Sequence, residues 1–285
     1  MTEPPFANPL IGIIGGTGNM GLWFRRLFEG RGLRVEVASR STALTPAELA
    51  ERADVLILSV PIASVEHVAT ELGPRVRQGG LLMDLTSLKA APVAFMLAHS
   101  SCAVIGTHPL FGPSAPSLAG HTVVLCPARA AEKTWLPWLS GLLEAEGGKV
   151  VLADPNHHDR MMAVVQGLTH FDTLAFALGL ARSGLGMKDL LLFSTPNLGL
   201  KLKQAARLLR QDASLYAHIG TRNAEVPAML QNMLEAAAEL EAAIAQGQEG
   251  GFQALFQEAA RFFQDLSEED YRGLARLFVA GCEGE

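Results

Sequence analysis

The first half of the chain alternates short apolar runs with segments in which apolar residues recur at helical spacing. This alternation is typical of a parallel α/β sheet, in which a helix connects each strand to the next. The run Val55–Val60 is continuously rather than alternately apolar, which indicates a strand buried on both faces. The predicted strands are Leu10–Ile14, Arg34–Ala38, Val55–Val60, Leu81–Asp84, Ala103–Ile105, Thr122–Cys126 and Lys149–Leu152. The predicted helices between them include Met20–Arg31, Ser64–Leu72 and Ala131–Glu146.

The pattern changes after Asp154-Pro155-Asn156, where strand signals nearly vanish. Long segments rich in Ala, Leu and Met follow, and their 3.6-residue periodicity predicts a helical domain. The segment Phe171–Leu180 is apolar almost all round, so we expect it to be buried between helices or between subunits. The predicted domains are residues 1–155 and 156–285. The predicted helical segments of the second are His157–Ala181, Met187–Phe193, Asn197–Gln211, Ala213–Gln246, Gly251–Asp265 and Glu268–Phe278.

Composition narrows the class of protein. The 285 residues suffice for two domains, and 49% hydrophobic against 18% charged residues is enough to build substantial cores. A net charge of −6 argues against a nucleic-acid partner, although a few local arginines could still bind a small anion. Cys102, Cys126 and Cys282 are an odd count without metal-ligand spacing, so we expect a reduced, cytoplasmic protein with no metal site. Neither a secretion signal at the N-terminus nor an apolar run of about 20 residues is visible.

The strand Leu10–Ile14 runs directly into the pattern G-x-G-x-x-G and a helix. In dinucleotide-binding domains the first glycine makes the tight turn, the second admits the pyrophosphate, and the third packs the helix on the strand. The helix N-terminus supplies free N–H groups to the phosphates. A tight turn without a ligand is the alternative interpretation. The cofactor-binding residues predicted here are Gly16, Thr17, Gly18, Asn19, Met20 and Gly21.

The end of the second strand predicts the choice of cofactor. NAD enzymes commonly place Asp or Glu there to bind the ribose 2′-hydroxyl, whereas this chain has Ser39, Arg40 and Ser41. Hydroxyls and a guanidinium suit a 2′-phosphate, so NADP is favoured over NAD. Alternatively, Arg40 is a solvated charge that stacks on the adenine of either cofactor. Val60 and Pro61, at the end of the third strand, are expected near the nicotinamide-side ribose, although Pro61 could simply shape the turn.

A histidine lies in the stiff loop Gly106–Pro113, after the predicted fifth strand. His108 is therefore expected near the nicotinamide, where an imidazole could take a proton while a hydride leaves for the cofactor. This pairing indicates a dehydrogenase. Ser87 follows the fourth strand at the same sheet edge, either to bind the imidazole or a substrate oxygen, or to cap the next helix. Lys89 is interpreted as a helix-surface or packing charge.

The helical half offers weaker candidates. His158 and Asp159 lie in the first turn of a helix, where a structural role is expected. His170 borders the segment Phe171–Leu180 and is either a core residue or a substrate contact. The polar neighbours of Arg207 predict a surface position, and spacing does not decide whether Arg207 or Arg210 faces a site.

Together these segments resemble the prephenate dehydrogenase family of tyrosine biosynthesis, most closely the dehydrogenase part of the type fused to chorismate mutase in enteric bacteria. The resemblance spans roughly residues 10–280. It is carried by G-G-T-G-N-M-G, Val60-Pro61-Ile62, D-L-T-S-L-K, G-T-H-P-L-F-G-P, His158-Asp159, T-H-F around His170, and R-L-L-R-Q-D-A-S-L-Y ending at Tyr216.

The resemblance implies a Rossmann domain, a helical substrate-binding and dimerisation domain, a homodimer, and an active site in the cleft between the domains. It implies that prephenate, a small dicarboxylate, is oxidatively decarboxylated to 4-hydroxyphenylpyruvate. His108 would accept the hydroxyl proton with Ser87 as its partner, and Arg207 would bind a carboxylate. His170, Tyr216 and Ser114 match positions around the substrate.

The chain also departs from this family. Its enteric members prefer NAD, so NADP is an inference from Ser39-Arg40-Ser41 against those relatives. Acidic residues often follow the His-Pro loop in this family, whereas this chain has Ser114. The ammonium group of arogenate would need an anion there, so its absence favours prephenate. Thr169 replaces a basic residue found beside the pocket histidine in the closest relatives. These 285 residues show no mutase domain, so 4-amino-4-deoxyprephenate stays open as a substrate. A β-hydroxyacid dehydrogenase is disfavoured because His157–His170 contains no lysine, and a non-catalytic NADP-binding sensor is the remaining alternative.

Overall fold

The computed structural model describes residues 8–129, 131 and 133–273. Cys282 and the end of the predicted segment Glu268–Phe278 lie outside the described residues. Within them the strands are β1 (Leu10–Ile14), β2 (Arg34–Ala38), β3 (Val55–Leu58), β4 (Leu81–Asp84), β5 (Ala103–Pro109), β6 (Thr122–Pro127) and β7 (Lys149–Leu152). They form one sheet in the order β2-β1-β3-β4-β5-β6-β7. Neighbouring strands are parallel except for β5 and β6, which are antiparallel.

All seven predicted strands are confirmed, with changes that bear on the site. The strand β3 ends two residues earlier than predicted, at Leu58. The strand β5 continues to Pro109, so His108 lies within a strand rather than in a loop after it. The reason is the antiparallel neighbour, because β6 pairs with β5 as far as His108 and Pro109, whereas the ladder from β4 ends at Gly106.

Helices cover both faces of the sheet, as a doubly wound domain requires. One core contains Phe24 and Phe28 of the first helix together with Leu139 of the fifth. The other contains Leu49 and Met96. The helices are α1 (Asn19–Gly30), α2 (Pro46–Arg52), α3 (Val65–Leu72), α4 (Ala90–His99), α5 (Trp135–Ala145), α6 (Pro155–Met162), α7 (Thr169–Arg182), α8 (Met187–Leu192), α9 (Pro196–Leu209), α10 (Ala213–Arg222), α11 (Val226–Ala245) and α12 (Glu249–Phe262).

Local sequence explains where the helices begin. Helix α6 has Asp154 as its N-cap, whose carboxylate accepts from two backbone N–H groups, and Pro155 in its first turn. Thr195 and Pro196 play the same parts for α9. The predicted segment Ala213–Gln246 is broken into α10 and α11 in the structure. Pro227 explains the break, because proline within a helix removes a backbone hydrogen bond.

The predicted segment His157–Ala181 is a single helical stretch of three parts, Pro155–Arg182, with a π-helix at Ala163–Leu168 between α6 and α7. By length and composition this is the one stretch among the described residues apolar enough to cross a membrane. No residue of α7 is buried within the chain, and Leu174 and Leu178 are exposed. The expected burial of Phe171–Leu180 in a helical core is therefore not found within this chain.

The chain divides into two compact units between Met229 and Leu230. The first holds the sheet and the helices α1 to α10, and the second holds most of α11 together with α12. The predicted division at residues 155 and 156 stays a prediction.

Candidate active site

A buried carboxylate shapes the turn that follows β4. The Asp84 side chain has no solvent exposure. Its Oδ2 accepts hydrogen bonds from the backbone N–H and the hydroxyl of Thr86, at 3.0 and 2.5 Å, and from Nζ of Lys89 at 2.5 Å. Its Oδ1 accepts from the N–H of Thr107 at 3.3 Å. These bonds join the turn bearing Ser87 to the strand bearing His108.

Lys89 is fully buried rather than lying on a helix surface, which corrects one of its two expected positions. Its ammonium also donates to the carbonyl oxygen of Thr107 at 2.9 Å. The side chain passes close to Gly106, where an added Cβ would lie 3.0 Å from Cδ of Lys89 and 2.5 Å from Val93. Glycine is therefore favoured at position 106, because a side chain there would have to displace Val93 and would press on the stem of Lys89.

A chain of hydrogen bonds runs from Asp159 to His108. Oδ1 of Asp159 lies 2.7 Å from Nδ1 of His158, and Nε2 of His158 lies 2.8 Å from Nδ1 of His108. Both imidazoles are buried, with 2% and 3% exposure. The Asp159 carboxylate is itself held by the backbone N–H groups of Lys89 and Ala90, at 2.8 and 2.9 Å, at the start of α4.

This series of hydrogen bonds fixes the tautomer of His108 when both imidazoles are neutral. A carboxylate only accepts, so Nδ1 of His158 donates to Asp159, and Nε2 of His158 accepts from Nδ1–H of His108. Nε2 of His108 then keeps its lone pair. Burial lowers the pKa of His108 well below its usual value, and the positive charge of Lys89 and the neighbouring His158 lower it further. The arrangement gives a neutral base at neutral pH.

The far side of the site is built by helices α7, α9 and α10. His170 and Tyr216 meet edge to face, with ring centroids 4.6 Å apart. Burial lowers the pKa of His170. Burial also raises the pKa of Tyr216, and the positive charge of Arg207 partly offsets this second shift. Among the described residues, Nδ1 of His170 and Oε1 of Gln166 are buried without a hydrogen-bond partner. Buried polar atoms without a partner are few in folded proteins, and here both belong to residues that line the same cavity, so a bound ligand could supply the missing partner.

These groups line one cavity of about 610 Å³ in the first unit. Arg207 reaches it and Arg210 does not, which resolves an alternative that helical spacing left open. Of the predicted site residues, those that line it are His108, Ser87, Arg207, His170, Tyr216, Gly18, Asn19, Met20, Val60 and Pro61. Those outside its lining are Ser114, Gly16, Thr17, Gly21, Ser39, Arg40 and Ser41.

The turn between β1 and α1 suits a dinucleotide pyrophosphate. The residue with positive φ is Gly15, at 76°, rather than Gly16, which was expected to make the tight turn. An added Cβ at Gly21 would lie 2.7 Å from the carbonyl oxygen of Gly15, so this glycine allows the helix to pack closely. The first turn of α1 carries no acidic residue, and its N-cap, Gly18, has no side chain that could accept from the N–H groups. The cradle therefore leaves donors free for phosphate oxygens.

The hydroxyl-rich turn after β2 is ordered by its own side chains. The hydroxyls of Ser39 and Ser41 lie 3.0 Å apart, and that of Thr42 accepts from the N–H of Ser39 at 2.8 Å. Arg40 is exposed and makes no ion pair within the described part of the chain. The nearby carboxylate of Glu36 is bound by Arg52 at 2.8 Å. The turn thus presents hydroxyls and one cation, which fits a 2′-phosphate.

The loop after β5 is anchored to α1. Nε1 of Trp23 donates to the carbonyl oxygen of Ala115 at 2.7 Å, and the ring of Phe111 packs against that of Trp23 at a tilt of 56°, with centroids 4.8 Å apart. Phe111 lines the cavity. Ser114, which the resemblance places beside the substrate, is exposed.

Sequence reasoning missed three parts of this site. His158 and Asp159 were given only a structural role in their helix, because no pattern indicates that a buried pair lies 2.8 Å from His108. Gln166 was not considered, because a lone glutamine among apolar residues carries no recognised signature. The available signal was a polar residue four positions before His170, on the same helical face.

Two family models and several known proteins match this chain. A family model of the prephenate dehydrogenase nucleotide-binding domain matches residues 31–152, and one of the prephenate dehydrogenase dimerization domain matches residues 154–258. The chain is 34% identical over 273 residues to a probable arogenate/prephenate dehydrogenase of Methanocaldococcus jannaschii, covering 90% of this chain and 61% of that protein. It is 33% identical over 257 residues to the T-protein of Haemophilus influenzae, covering 90% of this chain and 68% of that protein.

The fold also matches a crystal structure of prephenate dehydrogenase from A. aeolicus in complex with hydroxyphenyl propionate and NAD+. The TM-score is 0.73 at 20% identity, over 92% of this chain and 100% of that one. The matches confirm the predicted Rossmann-type domain followed by a helical domain, and the two family models describe these as a nucleotide-binding domain and a dimerization domain. The chain belongs to the prephenate dehydrogenase family, whose members are oxidoreductases.

Proposed function

We propose that this protein oxidatively decarboxylates prephenate to 4-hydroxyphenylpyruvate and prefers NADP as the hydride acceptor. The observation that carries the proposal is the position of Nε2 of His108, which the hydrogen bonds from Asp159 through His158 leave as an acceptor. This nitrogen faces a cavity whose other wall carries Arg207. A base at one end and a cation at the other suit a hydroxylated ring that bears carboxylates. We further propose a cytoplasmic homodimer.

The residues have distinct parts in this reaction. His108 accepts the proton of the ring hydroxyl, and the Ser87 hydroxyl contacts the same oxygen. When bound, a nicotinamide dinucleotide would supply the acceptor for the hydride of the carbinol carbon, and Gly18, Asn19 and Met20 at the start of α1 would hold its pyrophosphate. The bond to the ring carboxylate then breaks and carbon dioxide leaves. The electron pair of that bond moves into the ring and makes it aromatic, and the phenolate oxygen takes the proton back from His108. The Asp159 carboxylate stabilises the positive charge on His108 through His158.

Arg207 is expected to bind a substrate carboxylate. Replacing Arg207 with alanine should raise KM for prephenate roughly 10- to 100-fold, because a hydrogen bond to a charged group contributes about 1.5–3 kcal/mol. Steady-state kinetics at saturating cofactor measure the change. Arg210→Ala is the matched control, since that side chain lies three residues on and outside the cavity. Equal effects of the two variants would contradict the assignment.

Arg40 is expected to select the cofactor. Arg40→Ala should lower kcat/KM for NADP by about tenfold, because one charge-assisted contact to the 2′-phosphate is lost. The same variant assayed with NAD is the internal control and should change less than about twofold, since NAD has no 2′-phosphate. A parallel loss with both cofactors would instead indicate that Arg40 stacks on the adenine.

The first test of the function is absorbance at 340 nm with purified protein, supplying prephenate or arogenate with NAD or NADP. Turnover of prephenate with NADP is the expected result. Activity with NAD alone would overturn the cofactor preference and keep the reaction. Activity with arogenate alone would overturn the substrate. No activity in any combination would favour an aminated prephenate analogue or a non-catalytic binder.

A further inference from the structure

The π-helix Ala163–Leu168 places a glutamine beside the base. One side of this wide turn packs tightly against the start of α11, since an added Cβ at Gly167 would lie 2.5 Å from Cγ2 of Val226. The preceding residue, Gln166, lines the cavity together with His108. Single π turns within α-helices are frequent at functional sites. Here the turn directs an amide toward the reacting end of the cavity.

The contacts of Gln166 are incomplete. Its Nε2 lies 3.5 Å from Nε2 of His108, longer than an ordinary hydrogen bond. Because the Asp159–His158 chain leaves that His108 nitrogen as an acceptor, the amide nitrogen is the end of Gln166 that faces it. Among the described residues, the amide oxygen Oε1 is buried and has no partner. A buried amide held this loosely is suited to a polar atom that enters the cavity beside the two nitrogens and lies within hydrogen-bonding distance of both.

We propose that Gln166 contacts the ring hydroxyl of the substrate and donates its amide N–H to that oxygen, an inference that rests on the proposed function. The hydroxyl donates its proton to His108, so its oxygen is left to accept. When the hydride leaves, the C–O bond becomes a carbonyl. When carbon dioxide leaves, the electron pair moves through the ring and this oxygen gains negative charge. A donor aimed at it is therefore more strongly bound as the reaction proceeds.

This role makes Gln166 a residue that distinguishes ligands by one hydroxyl group. 4-Hydroxyphenylpyruvate carries the oxygen that Gln166 would contact, and phenylpyruvate is the same molecule without it. A glutamine that only fills the cavity wall would affect both ligands alike. One that donates to the ring oxygen would affect only the hydroxylated one.

The experiment uses the full chain with saturating cofactor and compares Gln166→Met, which keeps the length of the side chain and removes the amide. We expect kcat with prephenate to fall on the order of tenfold to a hundredfold. The Kd for 4-hydroxyphenylpyruvate should rise about tenfold, and that for phenylpyruvate should change less than about twofold. Gln78→Met, the same replacement at an exposed loop position outside the cavity, should leave all three values unchanged.

Gln166→Glu is the second variant, in case the apolar one does not fold. It keeps the shape and Oε1 but replaces the N–H donor by a carboxylate oxygen, so kcat should fall at least as far. Equal weakening of both ligands, or a kcat within about twofold of the parent in either variant, would overturn the proposal. Failure of the unaltered protein to oxidise prephenate would instead overturn the proposed function, before any variant is compared.

Discussion

Replacing His108 with asparagine lowers kcat with prephenate by roughly 10²- to 10⁴-fold, the contribution typical of a positioned general base. Asparagine can still donate to His158, so the buried network keeps a polar partner at this position. It has no group that takes a proton. Absorbance at 340 nm measures the loss, and titration of the dinucleotide against intrinsic tryptophan fluorescence provides the control, because cofactor affinity should be retained. A variant that keeps more than a tenth of the parent kcat would remove His108 from the role of base.

The pH profile of the unaltered protein tests the same assignment. The pKa of His108 lies below its usual value of about 6.5. A base with a lowered pKa stays neutral, and therefore active, to lower pH than an ordinary histidine. We expect kcat/KM to hold from neutral pH down past 6.5 and to fall only at more acid values. In His108→Asn this acid limb should be absent from the residual rate.

Replacing His158 with phenylalanine lowers kcat by about a hundredfold, although His158 never touches the substrate. A planar aromatic ring is kept, but Nδ1–H of His108 loses its acceptor. The imidazole then favours the other tautomer and presents N–H to the hydroxyl in place of the lone pair. The loss from a wrong tautomer in a serine protease triad reaches about 10⁴-fold. We expect less here, because the altered imidazole can still change tautomer.

His158→Gln is the matched variant, because its amide oxygen can accept from Nδ1–H of His108. It should recover most of the activity that the phenylalanine variant loses, with KM for prephenate close to that of the parent in both. Thermal unfolding of the two variants checks that the difference is not one of stability. Equal kcat values for Phe and Gln at this position would show that His158 does not set the tautomer.

The sheet was predictable because each strand carries a local signal. Parallel strands that are buried on both faces are typically apolar along their length. Val55–Leu58 is apolar throughout and Leu81–Asp84 is apolar up to its last residue, so both strands were predicted to within two residues of their observed ends. The end of β5 was missed because an antiparallel neighbour extends it, and pairing with β6 is a property of two distant segments. The break between α10 and α11 has a local signal in Pro227, but Asn223, which lies in the break, also makes a contact that no local pattern predicts. Its side chain is buried and donates to the carbonyl oxygen of Asp159, a contact across 64 positions.

In the site, the side chains that could act on a substrate were predictable from the sequence, but the buried residues that hydrogen-bond to them or position them were not. His108 and Ser87 lie at the ends of recognisable strands, so topology brings them to one edge of the sheet. The buried state of Lys89 and the position of Asp159 depend on how α4 meets α6, which no local pattern encodes. Arg207 was separated from Arg210 only by the family resemblance, because both have polar neighbours.

The Asp159 carboxylate caps α4 and also aligns the imidazoles, so one side chain serves both the architecture and the chemistry. A substitution of Asp159 would lower both the stability of the fold and the rate of proton transfer. We therefore expect the residues at the reacting end of the cavity to change slowly during evolution. The opposite wall is different. Arg207 is exposed at the end of a helix, and Thr169 is also exposed. Descendants could therefore acquire new substrate substituents by changing this wall while inheriting the proton-transfer apparatus intact.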